Sequence, residues 1–252
     1  MLRRNPWQME LRIEGARKIE KMCTGIKACE DILLEGGRDI SIDFDRGRIF
    51  ASGNISRDVI EGFKSRYGEK ISLVLEEDEG RGIPLKDAYL TFAEEFHFLG
   101  KEALELVVGR TAMVGMEHAV FITDDGTAIA IEGERDRVLF PPSSLCIAIH
   151  THPSIKDLSA SVSCFPSTAD LRNAVSFFLD GGILFGIACR GFALYIQRTW
   201  IVTDEILESL ADLPKKAEKI LNSWRKSGSD PLLKLREIAK GLPLEISLKP
   251  LD

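Results

Sequence analysis

The sequence has few cysteines, and none of them form a C-x-x-C motif. Its 252 residues include five cysteines, which is an odd number. This usage is more typical of a reducing compartment than of a disulfide scaffold, and it does not resemble a thiolate zinc cluster. We therefore expect reduced thiols at Cys23, Cys29, Cys146, Cys164 and Cys189.

Long apolar runs and concentrated positive charge are also missing. No stretch approaches the roughly 20 apolar residues that a membrane-spanning helix requires, and the first residues lack the apolar core of a signal peptide. The net charge is −6, and lysine and arginine are spread along the chain, which argues against a nucleic-acid partner. We therefore expect a cytoplasmic protein whose partners include neither a membrane nor nucleic acid.

What is present is the composition of an ordinary globular protein. Apolar residues make up 44% of the chain and charged residues 29%. A chain of 252 residues is long enough to bury a substantial core in one or two domains. The pattern of strands and helices along it predicts the α/β class, with a mixed sheet.

Residues 1–80 predict a small N-terminal α+β domain. Residues 9–13 alternate between apolar and polar like a strand, and residues 16–35 carry apolar side chains at helical spacing. Two strands, a helix that Ser56 could cap and a strand at 70–75 follow. The resulting order β-α-β-β-α-β is that of a ferredoxin-like, split-βαβ unit.

A second domain is predicted over residues 84–200, after an acidic, glycine-containing linker at 76–84. It begins with a mostly helical stretch. Its further elements are strands at 118–123, 127–132, 138–140, 145–149, 183–188 and 192–197, with a helix at 167–179. Residues 201–252 then predict a helical C-terminal extension.

Two histidines follow the most apolar strand of this domain. Residues 145–149 are apolar throughout, as in a buried central strand, and His150-Thr151-His152-Pro153 comes directly after them. Residues two apart in an extended segment point to the same face, so both imidazoles can bind one ion. In α/β sheets, ligands bind at the carboxyl ends of the strands. The motif therefore predicts a metal site at this end of the sheet.

A carboxylate in the next helix is a candidate third ligand. Asp170 lies in the first turn of a helix that begins after Pro166-Ser167. Catalytic zinc has three protein ligands and one water, whose pKa falls to about 7, and a further carboxylate then serves as the base. The same Ser-x-x-Asp pattern is an acidic variant of the capping box, which simply starts helices.

These residues resemble the signature of the JAMM, or MPN-plus, zinc metallopeptidases, which consists of an upstream Glu, then H-x-H-P, then S-x-x-D. The resemblance covers roughly residues 85–200. It implies that zinc is bound by His150, His152 and Asp170. It also implies that Ser167 helps to bind the oxyanion.

The general base is expected at the glutamate that opens the first strand of the family's domain, directly after a helix. Glu117 stands in that context, and Glu132 and Glu134 are alternatives. His118 follows Glu117 and, in a strand, would face away from it.

The segment between the two halves of the motif is about twice as long as is usual in the family. The insert, Ser154–Phe165, would lie beside the metal, where it could shape a substrate groove or cover the site. Asp157 within it is an alternative to Asp170 as third ligand. Cys164 also lies in the insert, where we expect an inert thiol.

The resemblance implies a cytidine-deaminase-like α-β-α fold and hydrolysis of a peptide or isopeptide bond. The implied substrate ends in a Gly-rich tail, as in a ubiquitin-like or sulfur-carrier protein joined to lysine. The N-terminal domain could recruit that substrate or form a homodimer.

Other functions remain open. One is a non-catalytic JAMM-fold scaffold that has lost zinc, and another is a RadC-like protein. The acidic charge and the lack of a recognisable helix-hairpin-helix segment count against the RadC-like protein. Metallo-β-lactamases, amidohydrolase barrels and nucleobase deaminases fit less well, because their further ligand motifs or chain length are missing.

Overall fold

The computed structural model describes residues 8–11, 13, 15–75, 82–134, 144–153 and 158–251. The predicted strand at 138–140, most of the predicted linker and Asp157 lie outside these residues. The described elements are, in chain order, β1 (Gln8–Leu11), α1 (Ala16–Leu34), β2 (Arg38–Asp43), β3 (Arg48–Ser52), α2 (Arg57–Tyr67), β4 (Ser72–Leu75), β5 (Ile83–Pro84), α3 (Leu85–Val114), β6 (His118–Thr123), β7 (Ala128–Glu132), β8 (Leu145–Thr151), α4 (Ala160–Ser163), α5 (Thr168–Leu179), β9 (Leu184–Cys189), β10 (Phe192–Arg198), α6 (Asp204–Ala211), α7 (Leu213–Ser227), α8 (Pro231–Ala239) and β11 (Leu244–Pro250).

Several helices begin where the sequence supplies a capping side chain. The hydroxyl of Ser56 accepts a hydrogen bond from the backbone N–H of Val59 at the start of α2. The carboxylate of Asp230 accepts one from Leu232 at the start of α8, where Pro231 occupies the first helical position. The predicted cap at Ser56 is confirmed.

The main sheet has seven strands in the order β1-β7-β6-β8-β9-β10-β11. Strands β8 and β9 run parallel and the other neighbours run antiparallel, so the predicted mixed α/β class is confirmed. Because β8 and β9 are parallel, their carboxyl ends meet at one edge of the sheet.

Helices cover both faces of this sheet, because its central strands have apolar side chains on both faces. Side chains such as Ile147 and Ile149 pack in a core with α1 and α3. Ala148 and Phe185 face the other way and pack in a second core with α5, α7 and α8. A strand buried on both faces is nearly all apolar, as the sequence of β8 predicts.

The predicted ferredoxin-like sheet is wrong, although its elements occur in the predicted order. Strand β1 pairs with β7 at the edge of the main sheet. The smaller sheet has the order β4-β3-β2-β5. Helix α1 packs its apolar face into the core that also contains residues of β2 and β8. The order of elements along a chain does not specify which strands pair, and the proposed domain boundaries remain predictions.

The C-terminal extension is helical only in part. Helices α6, α7 and α8 confirm the prediction for most of residues 201–252. The last strand, β11, was not expected, and it pairs with β10 along its whole length. Leu244 and Ile246 in β11 are buried, so this strand completes the core on the α8 side. Within the described ranges, no helix has the length and apolar content needed to cross a membrane.

The expectation of reduced thiols is wrong for four of the five cysteines. Disulfides join Cys23 to Cys146 and Cys164 to Cys189, across 123 and 25 residues of sequence. Pairs so far apart along the chain are brought together only by the fold, which is why spacing did not reveal them. Cys29 is buried and free, and burial raises the pKa of its thiol well above the ordinary range, so that it stays protonated.

Candidate metal centre

The two motif histidines lie at the carboxyl end of β8, on the face of the sheet that α5 covers. His150 pairs with Ala119 of β6 and with Ile187 of β9. The backbone N–H of His152 donates to the carbonyl of Ala188 at 3.0 Å, which extends the pairing with β9 by one residue. The side chain of Thr151, between them, points to the opposite face. The two imidazoles therefore lie side by side, with ring centroids 5.0 Å apart.

Asp170 completes a compact group with these histidines. The two Nε2 atoms are 3.2 Å apart. Asp170 places Oδ1 3.1 Å from Nε2 of His150 and Oδ2 3.2 Å from Nε2 of His152. Within the described part of the chain, these three residues form the group of metal-ligating side chains that could hold an ion.

The spacing of these atoms fits a tetrahedral zinc ion. Bonds of about 2.0–2.1 Å around a tetrahedral ion separate neighbouring ligand atoms by roughly 3.3–3.4 Å. The 3.2 Å between the two Nε2 atoms is close to that value, and Asp170 faces each histidine with a different oxygen, at 3.1 and 3.2 Å. Two nitrogens and one carboxylate are also the donor types that zinc favours in catalytic sites. The geometry supports the prediction that a metal ion can bind here.

The environments of His150 and Asp170 favour the forms that bind a metal. Burial lowers the pKa of His150, so its imidazole stays neutral. Burial alone would raise the pKa of Asp170, but hydrogen bonds and charges from both histidines outweigh it and hold that pKa well below its usual range. The Asp170 carboxylate is therefore ionised.

A backbone carbonyl contacts His152 on the side of the ring that faces away from the proposed metal. Its Nδ1 atom lies 3.4 Å from the carbonyl oxygen of Ser163, which can only accept a hydrogen. A neutral His152 that donates from Nδ1 has its lone pair on Nε2, facing His150 and Asp170. Burial lowers the pKa of His152, but the hydrogen bond and charge of Asp170 and the charge of Glu117 outweigh it and raise that pKa.

Ser167 begins α5 and also orients Asp170. Its hydroxyl accepts a hydrogen bond from the backbone N–H of Asp170 at 3.1 Å, and its own N–H donates to Oδ2 of Asp170 at 2.7 Å. This reciprocal pair is a capping box. The structural interpretation of the Ser-x-x-Asp pattern is therefore confirmed. The Ser167 side chain remains exposed beside the ligands.

Glu117 lies on the same face of the sheet as the histidines. It precedes Ala119 by two residues, and Ala119 is the residue opposite His150. Continued by two residues, the same register places Glu117 opposite His152. Glu117 is buried, and its charge raises the pKa of His152. Gly115, which ends α3 with a φ of 69°, lets the chain turn from the helix into this strand.

The two alternative glutamates are placed differently. Glu132 is the residue opposite His118, and its carboxylate lies 3.4 Å from Nε2 of His118 on the face that α3 covers. Glu134 is exposed, and its backbone carbonyl accepts the N–H of Glu117. Glu117 shares the face of the ligands, and its charge contributes to raising the pKa of His152.

The sequence analysis did not predict the buried polar network that lies beneath the candidate ligands. The Thr151 hydroxyl lies 2.6 Å from that of Thr111 in α3 and accepts the backbone N–H of His118 at 2.9 Å. Nδ1 of His118 lies 2.9 Å from the Thr111 hydroxyl. The network joins α3, β6 and β8 behind the site. As expected, His118 faces away from Glu117, and burial lowers the pKa of His118.

The insert lies beside the site and contributes to it. Its described part contains α4 and ends at Phe165, which is buried in the second core. The Ser163 carbonyl at the end of α4 contacts His152. Cys164 is not an inert thiol, because it is bonded to Cys189 at the end of β9.

Comparison of the chain with protein-family models, with curated proteins and with solved structures finds no match. The family resemblance therefore depends on the motif residues and on the geometry described above.

Proposed function

We propose that this chain is a zinc-dependent hydrolase of peptide or isopeptide bonds, of the JAMM type. The observation that carries the proposal is the convergence of His150, His152 and Asp170, with separations of 3.1–3.2 Å between their ligand atoms. A three-residue set is typical of catalytic zinc, whereas structural zinc usually has four protein ligands. When bound, zinc supplies a Lewis acid and lowers the pKa of water.

Glu117 is the proposed general base. Its carboxylate lies on the ligand face, where it accepts a proton from the attacking water and later donates it to the leaving amine. Transfer by a positioned carboxylate typically contributes about 10²–10⁴-fold to the rate. Because Glu117 is buried, bulk water is largely excluded from its carboxylate.

Ser167 is the proposed donor to the oxyanion. Its hydroxyl oxygen already accepts the N–H of Asp170, so the hydroxyl hydrogen can point out of the helix start. The side chain is exposed, which leaves it open to a substrate carbonyl. A donor of this kind acts on charge that develops in the transition state.

A scaffold that had lost zinc would not need to retain the site. Here the three candidate ligands, the proposed base and the proposed hydroxyl donor lie on one side of the sheet. This arrangement supports a catalytic role over a purely structural one. The substrate class, a ubiquitin-like or sulfur-carrier protein with a Gly-rich tail joined to lysine, follows from the family resemblance alone.

The proposal is tested with the zinc-loaded protein and a ubiquitin-like protein joined through its terminal glycine to a lysine side chain. We expect cleavage at that isopeptide bond, loss of cleavage after chelation, and recovery when zinc is returned. Mass spectrometry identifies the bond that is cut. Stoichiometric zinc without cleavage of this or a linear Gly-tail fusion would contradict the proposed function.

A further inference from the structure

Each cysteine of the Cys164–Cys189 disulfide directly follows a residue whose backbone carbonyl contacts His152. Ala188, whose carbonyl accepts the His152 backbone N–H at 3.0 Å, directly precedes Cys189. Ser163, whose carbonyl lies 3.4 Å from Nδ1 of His152, directly precedes Cys164. The disulfide therefore joins the residue next to Ser163, which contacts the His152 side chain, to the residue next to Ala188, which binds the His152 main chain.

The two partners differ in how firmly the fold holds them. Ala188 belongs to β9, a central strand paired on both sides and fully buried. Ser163 ends α4, a helix of four residues without a side-chain cap and with no buried residue. So short a helix has little stability of its own, because most of its cost is nucleation. The disulfide connects this weak element to the rigid strand.

The position of the Ser163 carbonyl matters because it selects the tautomer of His152. When a neutral His152 donates from Nδ1 to this carbonyl, its lone pair is on Nε2, the atom that faces His150 and Asp170. Loss of an outer partner of a metal-binding histidine typically lowers metal affinity about 10–100-fold.

We propose that the Cys164–Cys189 disulfide is a positioning element of the metal centre, which holds the Ser163 carbonyl against His152 and thereby strengthens metal binding. The inference rests on the zinc site of the proposed function and goes beyond it. Neither cysteine is a metal ligand in this arrangement, because both sulfurs are in the disulfide.

The second disulfide provides a matched control. Cys146 lies in the same strand as His150, and Cys23 lies in α1. Both are fully buried, like Cys164 and Cys189. No hydrogen bond described in the structure links either Cys23 or Cys146 to a ligand. Removing this disulfide therefore perturbs β8 and the core without changing the partners of His152.

The test compares the Cys164→Ala/Cys189→Ala variant with the Cys23→Ala/Cys146→Ala variant and the wild type. Zinc affinity is measured by competition with a chromophoric chelator, after circular dichroism has established that each protein is folded. We expect the zinc Kd to rise about 10-fold or more in the first variant and less than threefold in the control. Nitrogen NMR of the imidazoles should show mixed His152 tautomers in the first variant alone.

Equal affinity in the two variants would overturn the inference, even if the wild type binds zinc tightly and hydrolyses substrate. Conversely, the expected difference in affinity without hydrolysis would support the inference and contradict the proposed function. A wild-type protein that binds no zinc would contradict both.

If the first variant does not fold, the Cys23→Ala/Cys146→Ala variant, which keeps the Cys164–Cys189 disulfide, is reduced with a dithiol, which breaks that S–S bond, protonates both sulfurs and becomes a disulfide itself. The dithiol is then removed without air, and cobalt(II) replaces zinc as the probe. We expect weaker binding and no sulfur-to-cobalt charge-transfer band. Unchanged affinity, or such a band, would overturn the inference.

Discussion

Oδ2 of Asp170 accepts the backbone N–H of Ser167 at 2.7 Å and lies 3.2 Å from Nε2 of His152. The hydrogen bond that begins helix α5 therefore also orients the third candidate ligand. The two interpretations of the Ser-x-x-Asp pattern, a capping box and part of a proposed zinc site, concern the same atoms.

Replacement of Ser167 separates these two roles. Ser167→Ala should lower the free energy of unfolding by about 1 kcal/mol, because the helix loses its cap. It should also lower kcat about 10²-fold with zinc retained, because the donor to the oxyanion is lost. Denaturant unfolding and steady-state kinetics measure the two effects. Ser56→Ala, which removes the cap of α2, should have the stability effect alone, and an equal loss of kcat there would contradict the assignment.

His150 should be essential for metal binding. Because its Nε2 atom contacts both other candidate ligands, His150→Ala should remove most of the approximately one zinc expected per chain. Metal analysis of the purified protein measures this. His97→Ala is the control, since His97 contacts Tyr195 and is not part of the group. Full zinc retention in His150→Ala would exclude this ligand set.

Glu117→Gln should abolish hydrolysis and keep zinc. The amide cannot accept the proton, so the rate should fall about 10²–10⁴-fold. Glu132→Gln is the matched control, because Glu132 faces the other side of the sheet and contacts His118 and Arg110. Turnover and zinc content are measured for both. Unchanged turnover in Glu117→Gln would contradict the assignment of Glu117 as the general base.

The Thr151 hydroxyl should contribute to stability through the network behind the site. Thr151→Val leaves the N–H of His118 and the hydroxyl of Thr111 without this buried partner, at a cost of about 1–3 kcal/mol. Thr151→Ser keeps the hydroxyl, so its free energy of unfolding should fall by less than that of Thr151→Val. Denaturant unfolding measures the difference. A Thr151→Val variant as stable as the wild type would show that the network is not stabilising.

Metal removal should leave the protein folded. The ligands lie on a strand and a helix that are already packed in a large apolar core, so zinc is not required to form them. Chelation should therefore abolish activity while far-ultraviolet circular dichroism at 25 °C stays unchanged. An apo protein without a cooperative melting transition would indicate a structural metal instead.

The sequence by itself determined the local structure and identified the residues of the candidate metal site. Capping residues such as Ser56, Ser167 and Asp230 mark helix starts, because their side chains bond the first backbone N–H groups. The alternation of strand side chains puts His150 and His152 on one face. These relationships act over a few residues, so the order of residues is enough to predict them.

Only the tertiary structure decided the relationships between distant segments. Local sequence does not encode strand pairing, so the place of β1 in the main sheet and the addition of β11 could not be predicted. The same holds for the two disulfides and for the Ser163 carbonyl beside His152. The separation of Glu117 from Glu132 onto opposite faces required the register of β6 with both of its neighbours. In each case the deciding contact joins residues whose approach depends on how the whole core packs.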